Sequence, residues 1–316
     1  MPTEPVFPFI VGCGRSGTTL LVSMLDSHPD LAIPGESGFL LEMCASSPTP
    51  DARDALVQSF CTELDTFDRF RAWKLDLNDL RHDLEARHPA DRVEAMRITY
   101  AHYAASEGKS LYGDKTPDHV LQIPELAELF PEARFIHLIR DGRDVALANL
   151  DVPWGPTTIP AAARYWQQRV STGRQAGDAL GPKRYLEVRY EELVADPSSV
   201  LHEVTEFLGL AFDSAMLHSD EAVRRQFAMS PDPSLDKSLL LPLTKGLRDW
   251  RRDMSADDLA VFELIAGRLL EELGYPRAAT SVSLPLRMRV YAHEYLLGLL
   301  DSGRRIRRQL AGKTTP

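Results

Sequence analysis

The run Gly12-Cys13-Gly14-Arg15-Ser16-Gly17-Thr18-Thr19 is set between an apolar stretch, Phe7-Pro8-Phe9-Ile10-Val11, and a segment, Thr18 to Asp26, where Leu20, Leu21, Met24 and Leu25 mark one helical face. A strand that is apolar on both faces, then a glycine loop, then a helix commits the chain to an α/β architecture around a parallel sheet. The glycines have the spacing of a P-loop, because they let the backbone bend tightly and turn its N–H groups toward an anion at a helix N-terminus. The lysine that neutralises the β/γ-phosphates in an NTPase is missing, since Thr18 holds its position. Such a loop suits a nucleotide whose reacting end is not a triphosphate. The competing reading is a glycine turn that serves packing alone.

The same alternation continues downstream. After the break at His28-Pro29-Asp30, Leu31-Ala32-Ile33 reads as a short strand ahead of Pro34-Gly35. Arg134 to Ile139 is a second clear β run, and Arg140-Asp141-Gly142-Arg143-Asp144 leads from it into a helix over Val145 to Leu150. Tyr185 to Val188 is a further strand, Ser199 to Leu208 a helix ending at Gly209, and Ser255 with Asp258 opens a helix to Leu273 as a capping box. From Ser46 to Glu107 the patterns are helical without a strand signal, which places this stretch on one side of the sheet. Pro231 to Gly246 is polar and loop-like. The predicted fold is α/β: a single P-loop-like domain over residues 1–280, its central, mostly parallel sheet flanked by helices, with a C-terminal helical extension over 281–316.

With 44% apolar and 26% charged residues, the 316-residue chain can bury a sizeable core. Its net charge of -10, from 36 basic and 46 acidic residues, argues against general nucleic-acid binding, so any phosphate site must be local. Cys13, Cys44 and Cys61 show no metal-ligand spacing and are too few for a disulfide framework, which fits a reducing compartment. Met1 to Pro8 carries no basic residue and the apolar run after it is far too short for a signal peptide or a membrane span. A cytoplasmic protein without a transmembrane segment or a metal is the expectation. One asymmetry stands out: Arg287, Arg289, Arg304, Arg305, Arg307, Arg308 and Lys313 gather around Tyr291 to Leu300. That extension is either a solvated amphipathic helix or a contact for a homodimer partner or an anionic surface.

Gly14-Arg15-Ser16-Gly17-Thr18-Thr19-Leu20 resembles the 5′-phosphosulfate loop of sulfotransferases that use PAPS (3′-phosphoadenosine 5′-phosphosulfate), in the branch with tyrosylprotein sulfotransferases and many bacterial enzymes. Ser27-His28-Pro29-Asp30 and Gly35-Glu36 follow in the family's order. Gly113-Asp114-Lys115-Thr116-Pro117 resembles its lysine segment, and Phe130-Pro131 through Ile139-Arg140-Asp141-Gly142-Arg143 its 3′-phosphate strand and loop. The likeness spans about residues 7 to 275 and is dense only at these motifs. It implies transfer of a sulfonate group from PAPS to a hydroxyl of a small-molecule acceptor by in-line displacement, leaving PAP and requiring no metal. It further implies that Gly14, Arg15, Ser16, Gly17, Thr18 and Thr19 hold the 5′ end, Arg140 the 3′-phosphate, and Tyr190 the adenine, with Lys245 and Gly246 closing over the 3′-phosphate. The family usually has a serine eight residues after that arginine; here it is Ala148, and Ser234 or Ser238 are the candidates to compensate.

Glu36 is at a position resembling the catalytic glutamate of the tyrosylprotein branch, which makes it the candidate general base, with a pKa expected to rise on partial burial. Arg15 and Lys115 are the candidate cations for the leaving oxygen and the sulfonate. Each assignment has a plainer competitor. Glu36 could cap a helix over Ser37 to Met43, Lys115 could pair with Asp114 or Asp118, Arg140 with Asp141 or Asp144, and Tyr190 could be a packing residue. His28 and His137 are alternative bases, although their settings favour a helix C-cap and a core position. Trp73, Tyr100, Tyr103 and, in the loop Val152 to Pro160, Trp154 are the candidate acceptor walls. The rival activities are a small-molecule kinase using ATP and Mg²⁺ and a nucleotide-binding module without catalysis.

Overall fold

An apolar strand with no polar face belongs inside a sheet covered on both sides, and β1 (Phe7–Gly12) is buried at every position. The computed structural model describes residues 6–45, 53–229, 249–278 and 287–288. β1 runs through the glycine loop into α1 (Thr18–Asp26), followed by β2 (Leu31–Ala32). After α2 (Leu40–Ala45), the stretch without a strand signal holds α3 (Arg53–Leu64), α4 (Asp68–Arg71), α5 (Leu77–Arg87) and α6 (Arg92–Ser106). Next come β3 (Leu111–Tyr112), β4 (Asp114–Lys115), a 3-10 turn at Pro117–Leu121, α7 (Ile123–Leu129), β5 (Ala133–Ile139), α8 (Gly142–Leu150) and α9 (Ile159–Leu180). The remainder is β6 (Tyr185–Arg189), α10 (Tyr190–Ala195), α11 (Pro197–Leu208), α12 (Asp220–Ala228), α13 (Trp250–Asp253) and α14 (Ala256–Glu272).

The central sheet has the order β4-β1-β5-β6, with every pair parallel. This is the α/β fold with a parallel sheet that the strand and helix alternation predicts. Period-two alternation splits the apolar side chains between the two faces. Phe7, Phe9, Val11 and Phe135 face one cluster, filled in by Trp73, Tyr100, Tyr103 and Phe130. Ile10, Ile136, Leu138 and Val188 face the other, where α1 and α11 contribute Leu21, Leu25, Leu201 and Val204.

Two expectations are adjusted. The strand at Leu31 pairs with β3, outside the central sheet, and stops at Ala32. Its ladder ends there because Pro34, the next residue that would face β3, has no N–H to donate, while the Ile33 N–H on the other side donates to the Asp26 carboxylate at 2.9 Å. The helix expected from Val145 begins at Gly142, since Asp141 caps it by accepting from the Arg143 N–H at 3.0 Å. Elsewhere the end signals hold: Gly209 closes α11 with φ 73°, and Ser255 Oγ accepts from the Asp258 N–H at 3.1 Å to open α14.

By compactness the chain divides into two units, Met1–Arg140 with Gln168–Leu247, and Asp141–Gln167 with Arg248–Pro316. The first holds the sheet and the glycine loop. The second is knit around Arg143, whose side chain is fully buried. Its guanidinium donates to Asp141 at 2.7 Å and to Glu263 at 2.8 Å, and lies 3.6 Å from the Trp250 ring centroid.

Candidate active site

At the mouth of the sheet, Gly12 lies so close to β5 that a Cβ there would come within 2.6 Å of the Leu138 carbonyl oxygen. The loop then turns through Gly14, Arg15 and Ser16, with Arg15 in the left-handed region at φ 70°. Gly17, at φ 96°, is the N-cap of α1 and supplies no side-chain cap. The first-turn N–H groups, which have no partner within a helix, are therefore presented by Thr18 and Thr19 without a competing side chain. Ser16 Oγ is buried beside them with no hydrogen-bond partner among the described residues. An uncapped helix N-terminus and an orphaned buried hydroxyl make a cradle whose chemistry fits a phosphate or sulfate oxygen.

Arg140 follows the last residue of β5 and its guanidinium lies 4.5 Å from the Tyr190 ring centroid. Arg140 Nη1 also lies 3.5 Å from the Arg15 carbonyl oxygen. The Tyr190 ring covers Gly17 so closely that a Cβ on that glycine would fall 2.4 Å from a ring carbon. Loop, arginine and tyrosine are thus one assembly, and Gly17 is required by both its φ and the ring above it. The packing reading of Tyr190 and its place beside the loop are both met by this geometry. Asp141, which competed for Arg140 in the sequence, accepts from Arg143 and from Trp250 Nε1 at 3.1 Å.

On the other side of β1, parallel pairing sets Lys115 level with Ile10. Lys115 Nζ donates to Glu36 Oε1 at 2.9 Å, and Arg69 Nη1 donates to Glu36 Oε2 at 2.7 Å. Lys115 is nearly buried at 6% exposure, whereas Glu36 is 30% and Arg69 44% exposed. Lys115 does not pair with its sequence neighbours. Asp118 is taken by Arg169 at 2.9 Å, and Asp114 by Ser37, Tyr100 and His119. Nor does Glu36 cap the helix after it, because α2 starts only at Leu40 and both carboxylate oxygens are bound to cations.

The rise in the Glu36 pKa expected from burial is overturned. Burial does push the carboxyl up, but the Lys115 ammonium and then the Arg69 guanidinium pull it down by more, leaving it below the usual carboxylate range. Arg69 was not anticipated. It lies 33 residues from Glu36 in a stretch with no motif, and no local pattern points to such a pair.

Other sequence candidates are placed elsewhere. His137 is fully buried in β5, its Nδ1 2.5 Å from the Tyr185 hydroxyl, and burial pushes its pKa down to about 3. His28 does not cap α1 with its side chain. Its Nδ1 accepts from the Asp30 N–H at 3.1 Å and its Nε2 lies 2.9 Å from the Ala211 carbonyl, so it braces two loops. Trp73, Tyr100 and Tyr103, expected as acceptor walls, are 3%, 0% and 1% exposed and belong to the core instead. Trp154, in the second unit, is 52% exposed. Ala148 is buried on α8. Lys245, Gly246, Ser234, Ser238 and, apart from Arg287 and Met288, the basic extension lie outside the described residues. Among the described residues no three His, Cys, Asp or Glu side chains gather as a metal site, and no helix is long and apolar enough to cross a membrane.

A parallel sheet with an anion loop at a helix N-terminus, and a lysine of the neighbouring strand paired with a glutamate, is an arrangement suited to moving an anionic group. The chain belongs to the sulfotransferase family, a class of PAPS-dependent enzymes, whose model matches residues 8–214. Nodulation protein NoeE of Sinorhizobium fredii is 27% identical, the match covering 87% of this chain and 67% of that protein. Protein-tyrosine sulfotransferase A of Caenorhabditis elegans is 24% identical over 86% of this chain and 68% of its own. Among solved structures, the sulfotransferase domain from the Synechococcus PCC 7002 olefin synthase shares the fold, with a TM-score of 0.57 and 23% identity over 87% of this chain and 98% of that one.

Proposed function

We propose that this chain transfers a sulfonate group from PAPS to a hydroxyl of a small-molecule acceptor, with Glu36 as general base. The observation that carries the proposal is the Glu36–Lys115 ion pair, brought by β4 to the strand that feeds the anion loop. When bound, PAPS supplies a sulfonate already activated by its phosphate leaving group. Gly14, Arg15, Ser16, Gly17, Thr18 and Thr19 hold the 5′ end, where backbone N–H groups and the orphaned Ser16 hydroxyl find acceptors. Arg140 takes the 3′-phosphate and Tyr190 lines the adenine side. Lys245 and Gly246 keep the closing role on sequence resemblance alone; the cytoplasmic location rests on the three unpatterned cysteines, and the contact role of the basic extension on its charge asymmetry.

Glu36, ionised because two cations hold its carboxyl down, accepts the acceptor's hydroxyl proton. Lys115 and Arg15 face the charge that gathers on the sulfonate and the departing oxygen, a preorganised electrostatic role. The kinase reading is disfavoured by Thr18, which leaves no lysine in the loop to meet a triphosphate. Incubated with PAPS in EDTA and a panel of phenolic, steroid and sugar hydroxyls, the protein should release PAP in step with one sulfonated product. PAPS left intact with every acceptor, alongside ATP consumption once Mg²⁺ is added, would move the assignment to a kinase.

A further inference from the structure

Glu36 and Lys115 are 79 residues apart in the chain, and a single ion pair between a nearly buried lysine and a partly exposed glutamate does not by itself fix the register of the two segments. Their chain neighbours are held far more firmly. The Ser37 hydroxyl donates to the Asp114 carboxylate, and the Ser37 N–H donates to Thr116 Oγ1 at 2.9 Å. The residue after Glu36 is therefore bonded to the residues on both sides of Lys115. Asp114 is itself fully buried and receives the Tyr100 hydroxyl at 2.9 Å on Oδ2, with His119 Nδ1 2.9 Å from Oδ1.

We propose that Ser37, Asp114 and Thr116 are positioning residues, a buried clamp that sets the register between the Glu36 segment and β4 so that the Glu36 carboxylate meets the Lys115 ammonium. Successive residues along β4 project to opposite sides, so bonds to Asp114 and Thr116 on one side fix where Lys115 emerges on the other, and the same bonds hold Ser37, the residue next to Glu36, against the strand. Burying a carboxylate is costly unless every oxygen is satisfied, and an apolar contact would serve packing as well. A carboxylate whose donors come from Ser37, Tyr100 and His119 gains direction that an apolar contact lacks. Burial raises its pKa, but His119, Ser37 and Tyr100 outweigh that and keep it ionised. The groups that face Glu36 itself are Lys115 and Arg69. The functional weight of the clamp rests on the base assignment for Glu36; its geometric claim does not.

The test reads the Glu36 carboxyl directly, by NMR titration of ¹³C-glutamate-labelled protein, the resonance being assigned by its loss in Glu36→Gln. Lys115→Met provides the value without the ion pair. Ser37→Ala should shift the Glu36 titration upward toward the Lys115→Met value with PAP affinity at wild type, while its thermal midpoint falls because the buried Asp114 carboxylate loses a donor. Ser37→Ala titrating as wild type at Glu36 overturns the clamp. If that variant does not fold, Thr116→Val, which removes a single hydroxyl, decides by the same reading. Failure of the base assignment shows separately, as unchanged PAPS turnover in Glu36→Gln with the titration shift in Ser37→Ala intact.

Discussion

Glu36→Gln should lower PAPS turnover roughly 100- to 10,000-fold, the usual worth of a positioned general base, and leave PAP affinity unchanged. Glutamine keeps the shape and one acceptor oxygen for Lys115 but has no charge with which to take a proton. The pH profile adds a second reading. Lys115 and Arg69 hold the wild-type carboxyl below the usual range despite its burial, so turnover should stay level through the ordinary carboxylate range as pH falls. Activity is lost only below it, when the carboxylate takes up a proton. The same sign governs stability: the ion pair stabilises the fold above the unfolded-state pKa and is lost as pH falls through the lower folded one. Glu36→Gln that turns over PAPS at the wild-type rate removes Glu36 from the chemistry.

Arg143→Met should produce the largest loss of stability, about 3–5 kcal/mol, as expected when one member of a buried ion network is removed. Arg143 is fully buried, and so is Glu263, whose Oε1 accepts from it at 2.8 Å. Methionine fills much of the volume but removes the cation that the buried Glu263 and Asp141 share, leaving Glu263 the more distant Arg277 guanidinium at 3.7 Å. The Trp250 ring also loses the guanidinium that lies 3.6 Å from its centroid. Chemical denaturation followed by tryptophan fluorescence measures this, and adding Glu263→Gln to Arg143→Met should recover part of the loss. A change below about 1 kcal/mol would mean that the network is worth no more than a surface pair.

What was legible in the sequence was whatever depends on near neighbours along the chain. The strand–loop–helix run from Phe7 to Asp26, the caps at Ser255 and Gly209, and the β run ending at Ile139 each follow from local periodicity or one residue's backbone preference. The loop, Lys115 and Glu36 were readable as motifs, and the structure brings the last two into contact. Trp73, Tyr100 and Tyr103 were misplaced because an aromatic side chain looks the same in sequence whether it lines a pocket or fills a core. Arg69 was missed because an ion pair across 33 residues leaves no periodic trace, and it adds to the Lys115 ammonium in pulling the Glu36 pKa down. Asp114 was visible inside the lysine motif, yet its partner Ser37 appears only once the two segments are side by side.

Calorimetric titration of the metal-free protein with PAP and, separately, with ATP plus Mg²⁺ tests the central claim most directly. PAP should bind tightly without metal and more weakly in Arg140→Ala, and ATP should show no comparable binding. Binding of ATP with Mg²⁺ while PAP gives no heat would contradict it.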